Sequence, residues 1–191
     1  MNTTLLVIYF LLYLLVFTLN KKMKDTDFVN KVEKSGIVTV DLMDFAPKQE
    51  IMFFDIKNHL YMEMIIKEVE FRKSIESVDW DSFRNKLVAI GCSIDAIIPT
   101  WVYMLIADKL HGIAHFADYS SENELKLQIW KRNIINADFS HLIDQKVVVR
   151  ASSTHDPSLY MLVTDKLKPI VKTLMYGEAG MPKVIYKRNK S

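Results

Sequence analysis

Cysteine is nearly absent: Cys92 is the single thiol in 191 residues. That excludes an internal disulfide framework and a cluster of thiolate ligands, and a lone thiol suits a reducing compartment. Net charge is equally scarce, at +2. Lys21 and Lys22 supply both units, because residues 1–22 contain no acid and the remaining 23 basic side chains balance 23 acidic ones. A balanced chain lacks the positive field that nonspecific nucleic-acid binding needs, so no nucleic-acid partner is expected. No GxGxxG or Walker loop occurs, so no motif supports a nucleotide site, and the cofactor question stays open. His111 and His115 are four apart, but Gly112 breaks the helix that would align them, and no acidic third ligand is in register. No metal site is expected.

One long apolar run is present. Leu5 to Leu19 is apolar apart from Thr18. As a helix it would rise roughly 22 Å, against a bilayer core about 30 Å thick. It has neither the positive start nor the small-residue cleavage site of a secretory signal. Cations follow it at Lys21, Lys22 and Lys24, so a genuine span would leave the rest of the chain on the cytoplasmic side. The alternative is that translation starts at Met23. A cytoplasmic location, or a membrane anchor with the folded part in the cytoplasm, is therefore expected. A membrane partner is expected only if residues 1–22 are translated.

Beyond residue 22 one α/β domain is expected over 23–191. "GIVTVDL" (36–42) and "EIMFFDI" (50–56) read as strands, and residues 59–69 are ambiguous between strand and helix. "KEVEFRKSIESV" (67–78) reads as a helix. "KLVAIGC" (86–92) is a continuous apolar run, as in a strand covered on both faces. Pro99 to Leu110 reads as a helix with Gly112 at its exit. Ile113 to Tyr119 is the next strand. "SENE" is a capping box opening a helix from Ser121 to about Asn136. Lys146 to Ser152 is a strand. Asp156 caps a helix that runs to Lys168 before Pro169. Ile170 to Tyr176 is a strand, and "KVIYK" (183–187) adds a short one.

The most informative feature is self-similarity. Tyr103 to Tyr119, "YMLIADKLHGIAHFADY", and Tyr160 to Tyr176, "YMLVTDKLKPIVKTLMY", share Tyr, Met, Leu, Asp, Lys, Leu, Ile and Tyr at the same offsets. With a short gap "KLVAIGCS" aligns with "KVVVRASS", Trp80 and Phe83 with Phe139 and Leu142, and Phe71 with Trp130. Two degenerate helix–strand–helix–strand units result, at about 68–120 and 127–177. They are expected to share one mostly parallel sheet with helices on its faces.

The self-match puts two loops in equivalent places, each after a strand and before a helix. Ligands of open α/β sheets bind at such carboxyl edges. One loop offers Cys92, Ser93 and Asp95. The other offers Ser152, Ser153, His155 and Asp156, and Glu178 follows the last strong strand. Each has a plain structural alternative. Cys92 ends an apolar strand and packs as a small hydrophobe. Asp95 bonds loop amides or caps a helix. Asp156 is a helix cap. A Ser–His–Asp triad is disfavoured, because the three crowd onto one turn without a nucleophile elbow.

From about Phe28 to Lys187 the chain resembles a bacterial family, domain-of-unknown-function family 2480. "VNKVEKSGIVTVDL", "EFRKSIESVDW", "CSIDAIIPTWVYML" and "MYGE…IYK" carry the resemblance. The family has no assigned activity, so no catalytic residue transfers. Its pattern implies cysteines where this chain has Ser152 and Gly180, which would leave Cys92 alone here in a shared thiol site. It also implies a gene-level association with iron–sulfur cluster assembly, and hence an accessory role there as one alternative.

Taken together, the expectation is a noncatalytic module binding a small molecule or a protein at the carboxyl edge, with a homodimer as its simplest assembly. The competing reading is an enzyme using Cys92 and Asp95 with His155.

Overall fold

The computed structural model describes residues 36–189 apart from residue 63. The apolar N-terminal segment, residues 1–22, lies outside the described residues. Among them, no helix is long and apolar enough to cross a membrane.

Among the described residues, seven strands and four α-helices follow one another in the order the sequence leads one to expect. β1 (Ile37–Val40) and β2 (Ile51–Asp55) come first, followed by α1 (Glu68–Glu76). β3 (Leu87–Gly91), α2 (Thr100–Leu110) and β4 (Phe116–Tyr119) form a strand–helix–strand unit. α3 (Glu122–Asn136) leads to a second such unit, β5 (Lys146–Val149), α4 (Pro157–Leu167) and β6 (Thr173–Tyr176), and β7 (Lys183–Lys187) closes the order. The punctuation residues act as expected. Ser121 and Glu124 form a reciprocal capping box, and Asp156 accepts from the Ser158 amide with Pro157 at the first position of α4. Gly112 takes a positive φ of 72° just past α2. The ambiguous stretch resolves into a 3₁₀ turn at Ile56–His59 and an isolated bridge between Tyr61 and Ile65, before α1 begins.

The strands do not share one sheet. They form a four-stranded sheet in the order β1-β5-β6-β7 and a three-stranded sheet in the order β2-β3-β4. All pairings are parallel except β6 with β7. The expectation of a single sheet is thus corrected. Its physical origin is the first two strands, which part company: β1 pairs with β5, far along the chain, while β2 pairs with nearby β3. Compactness follows the sheets. Of the described residues, 36–44 together with 138–189 form one unit, and those within Phe45–Ala137 form the other. They are called the outer and inner units here, from their order along the chain.

In the inner unit the central strand β3 is buried throughout. Val88 and Ile90 point to a core with Phe71 and Ile75 of α1 and Val102, Ile106 and Leu110 of α2. Leu87 and Ala89 point the other way, against Leu125 and Ile129 of α3. The period of two along the strand and the spacing of four along α2 therefore meet in one apolar cluster. In the outer unit Leu159, Val163 and Leu167 repeat the same i, i+4, i+8 stripe on α4, and all three are fully buried.

Equivalent backbone bonds occur inside each unit. The Asn85 amide donates to the Ile113 carbonyl at 2.9 Å, and the Asp144 amide to that of Ile170 at 2.9 Å. Both residues hold the left-handed conformation, at φ 60° and 57°. Ser120 N reaches Ile90 O at 3.2 Å, and Gly177 N reaches Val149 O at 3.1 Å. Leu87 stands opposite Phe116, and Lys146 opposite Thr173. These bonds match Leu87 with Lys146, and so Cys92 with Ala151 and Ser93 with Ser152. The alignment of "KLVAIGCS" with "KVVVRASS" is therefore one residue out of step. A shared lysine draws the sequences together there, but a one-residue slip would turn every strand side chain to the opposite face.

Candidate functional site

Each unit presents a polar edge at the carboxyl ends of its parallel strands. In the inner unit the edge is organised by Asp55, the last residue of β2. Its Oδ1 accepts from the Lys57 amide at 3.0 Å and from the Ser93 amide at 3.0 Å. The first bond turns the chain into a 3₁₀ helix, and the second ties down the loop after β3. Partial burial pushes the Asp55 carboxyl up, but the bonds from Ser93 and Lys57 outweigh it and hold the acid below its ordinary value. Cys92 is half-buried and packs on the apolar core. Asp95 is exposed, and α2 starts behind Pro99 with no side-chain cap, so Asp95 does not cap it. Beyond the loop, Tyr103 and Tyr119 meet edge to face, 5.1 Å between ring centres. Burial raises the Tyr103 hydroxyl, and neighbouring Tyr119 and Cys92 raise it further.

The outer unit repeats this plan with different side chains. Asp41 follows β1 directly, as Asp55 ends β2. Its Oδ1 accepts from the Met43 amide at 2.9 Å, and its Oδ2 pairs with Arg150 Nη1 at 2.5 Å. The Met43 bond, ahead of the opposing cost of burial and aided by Arg150 and His155, holds the carboxyl below its ordinary value. Tyr160, one turn into α4, organises the loop. Its hydroxyl accepts from the Ser152 amide at 2.9 Å and lies 3.2 Å from the Arg150 carbonyl. It lies 3.4 Å from His155 Nδ1. Burial raises its pKa despite the Ser152 bond, so it stays a protonated donor at neutral pH. Ser152 Oγ bonds Thr154 Oγ1 at 2.9 Å. Tyr176 at the end of β6 packs edge to face on Tyr160, 5.5 Å between centres, as Tyr119 does on Tyr103.

Of the residues expected from sequence, Ser152 and His155 come together around Tyr160. Ser153 and Glu178 are exposed at the same edge of the outer unit. Asp156 accepts from the amide and hydroxyl of Ser158, which makes it the cap of α4. Cys92, Ser93 and Asp95 belong to the inner unit, and His155 to the outer one. Among the described residues, no three His, Cys, Asp or Glu side chains converge to hold a metal ion.

Asp41, Asp55, Arg150 and the two tyrosine pairs were not anticipated. The tyrosines were visible as signals, since they bound the self-match at both ends. The aspartates also left a trace: "VDL" and "FDI" each set an acid between apolar residues where a strand stops.

Searches against curated proteins and against solved structures return no match. The family model described as a protein of unknown function, DUF2480, matches residues 26–188, in agreement with the resemblance carried by the four motifs. The chain belongs to the DUF2480 family.

Proposed function

We propose that this protein is a noncatalytic binding module whose small-molecule site is the carboxyl edge of the outer unit. The observation that carries the reading is the cluster around Tyr160. One phenol gathers the Ser152 amide, the Arg150 carbonyl and the His155 ring within 3.4 Å. Such a cluster fixes donors and acceptors in place before a ligand arrives, which lowers the ordering cost of binding. Nucleophilic catalysis would instead ask for an activated nucleophile beside a base. Here Ser152 Oγ is engaged with Thr154, and Cys92 packs on the inner unit's core.

The test is a fragment screen of the full chain followed by amide NMR spectra. Saturable shifts should centre on Ser152, His155 and Gly177, and they should persist in Cys92→Ser. The reading is lost if no fragment moves these amides, or if Cys92→Ser abolishes the response. Thiol labelling of the native protein gives the enzyme reading its own trial. Rapid labelling of Cys92 without unfolding would favour it over the present proposal.

A further inference from the structure

Beneath the polar edge the outer unit holds a cavity of about 160 Å³. Val149, Val163, Leu174 and Met175 form its buried wall. Tyr160 and Tyr176 border it from the carboxyl edge, and Ile185 of β7 stands at its mouth, 54% exposed. Thr164 adds a hydroxyl to the lining. From this geometry we infer that the cavity is a binding pocket for one monocyclic aromatic ring, carried by the ligand of the outer unit.

Three observations support that choice of occupant. The first is size: an apolar cavity of about 150 Å³ stays dry and takes up a benzene molecule. The second is shape. The edge-to-face arrangement of Tyr160 and Tyr176, 76° between planes, is one that a further ring can extend in offset or edge contact. The third is how the space arises. β7 pairs antiparallel on β6 with a register shift between Leu174 and Met175. Both of these β6 residues line the pocket, so the irregular pairing opens the sheet face where the pocket lies. The matching positions of the inner unit are Ala107, Ala117 and Asp118, and a wider space of about 230 Å³ opens beside Ala107 and Ala117; among the described residues no strand pairs beyond β4, so β7 with Ile185 is what the outer unit adds to its own pocket.

The inference rests on the proposed ligand site only in naming whose ring occupies the pocket; the pocket itself can be tested separately. The probe is benzene, titrated into the full chain with methyl groups of Val149, Val163, Leu174 and Ile185 observed by NMR. These four methyl sets should move together and saturate, while surface methyls of Ile97 and Val69 stay still. Thr164→Leu, which places two methyl groups into the space, should weaken binding at least tenfold. Met161→Ala, exposed on the same helix and outside the lining, should leave the protein folded and binding in place, and amide spectra of the Thr164 variant show that it is folded before its binding is read. Absence of saturation in the unaltered protein overturns the pocket, even if fragments still bind at Ser152 and His155. Benzene saturation without any fragment response at the edge keeps the pocket and removes the proposed function.

Discussion

The inner and outer units solve one problem in two ways. In both, a strand ends at an aspartate, the aspartate accepts from the amide two residues on, and a 3₁₀ turn follows. The second oxygen or second bond then goes to different partners. Asp55 takes a backbone amide, that of Ser93. Asp41 takes a guanidinium, that of Arg150. The difference follows from one matched position. Where the outer unit has Arg150, the inner unit has Gly91, and a Cβ there would come within 2.9 Å of the Phe53 ring. A close-packed glycine leaves the loop free to approach the acid with its own backbone. A side chain at that point supplies the bond itself. One edge is therefore fixed by main chain and the other by exchangeable side chains.

The sharpest way to break the comparison is through the shared helix stripe. Ile106 and Val163 are matched and both are fully buried. Ile106 sits within the aromatic and aliphatic core of the inner unit, whereas Val163 lines the pocket of the outer one. Ile106→Ala should cost about 2–5 kcal/mol, since its neighbours cannot close the gap. Val163→Ala removes fewer atoms beside space that already exists, and should cost distinctly less. Urea denaturation of both variants reads the difference, and equal costs would mean that the two cores are packed alike.

Next in size is Gly91→Ala. The added methyl must displace the Phe53 ring, and overpacking of this kind costs about 1–3 kcal/mol. The reverse change at the matched site, Arg150→Ala, meets no such wall. A Gly91→Ala protein as stable as the unaltered one would show that the Phe53 ring yields freely.

pH separates the same pair of edges from the interior. His59 is stacked on Phe54, 5.1 Å between ring centres, and its Nδ1 lies 2.8 Å from Ser74 Oγ. Burial lowers its pKa below 6.5, with Asp55 pulling the other way. A base with a depressed folded-state pKa binds its proton more readily when unfolded. Its contribution is therefore complete above pH 6.5 and is lost as pH falls through the folded value. Asp41 and Asp55, held below 3.8, keep their contributions until the carboxylate range is reached. Amide exchange in α1 and β2 should accelerate first as the solution is acidified, and His59→Phe should remove that early phase. An unchanged early phase in the variant would assign it to another group.

These details also mark what could be read from sequence. Helices and strands were legible because caps, prolines and apolar periods are local: Ser121, Asp156, Gly112 and the Val102–Ile106–Leu110 stripe each announce themselves within a turn or two. The division into two sheets was not. It depends on which later strand accepts β1, a long-range choice that "GIVTVDL" does not encode. The candidate site was half visible. Ser152 and His155 stood out as polar residues after a strand, but Tyr160 looked like one residue of a helix until the bond to the Ser152 amide placed it. Cys92 drew attention because it is unique in the chain, and uniqueness says nothing of what a thiol touches. Its register match is Ala151, a small side chain, which agrees with packing as the shared demand at that position.

The smallest expected effect tests the side-chain fixed edge directly. The Asp41–Arg150 pair is short, but Arg150 is half-exposed, with 50% of its side chain open to solvent against 21% for Asp41. Water and salt screen such a pair, and exposed pairs of this kind contribute about 0.2–1 kcal/mol. Arg150→Gly, which copies the inner unit's residue, should therefore shift the unfolding midpoint little. Its effect should appear locally. Asp41 loses one of the cations that hold its proton off, so its pKa should rise toward the ordinary 3.8. The retained Met43 amide bond should stop it short of that value. The Tyr160 hydroxyl bonds the Arg150 backbone carbonyl, not its side chain, so that contact should survive. Carboxyl NMR titration of Asp41 together with amide exchange at Ser152 reads both effects. A raised Asp41 pKa with Ser152 still protected fits an edge in which Arg150 tunes the acid and Tyr160 holds the loop. Loss of protection at Ser152 would mean that the ion pair, and not the phenol, keeps the edge in place.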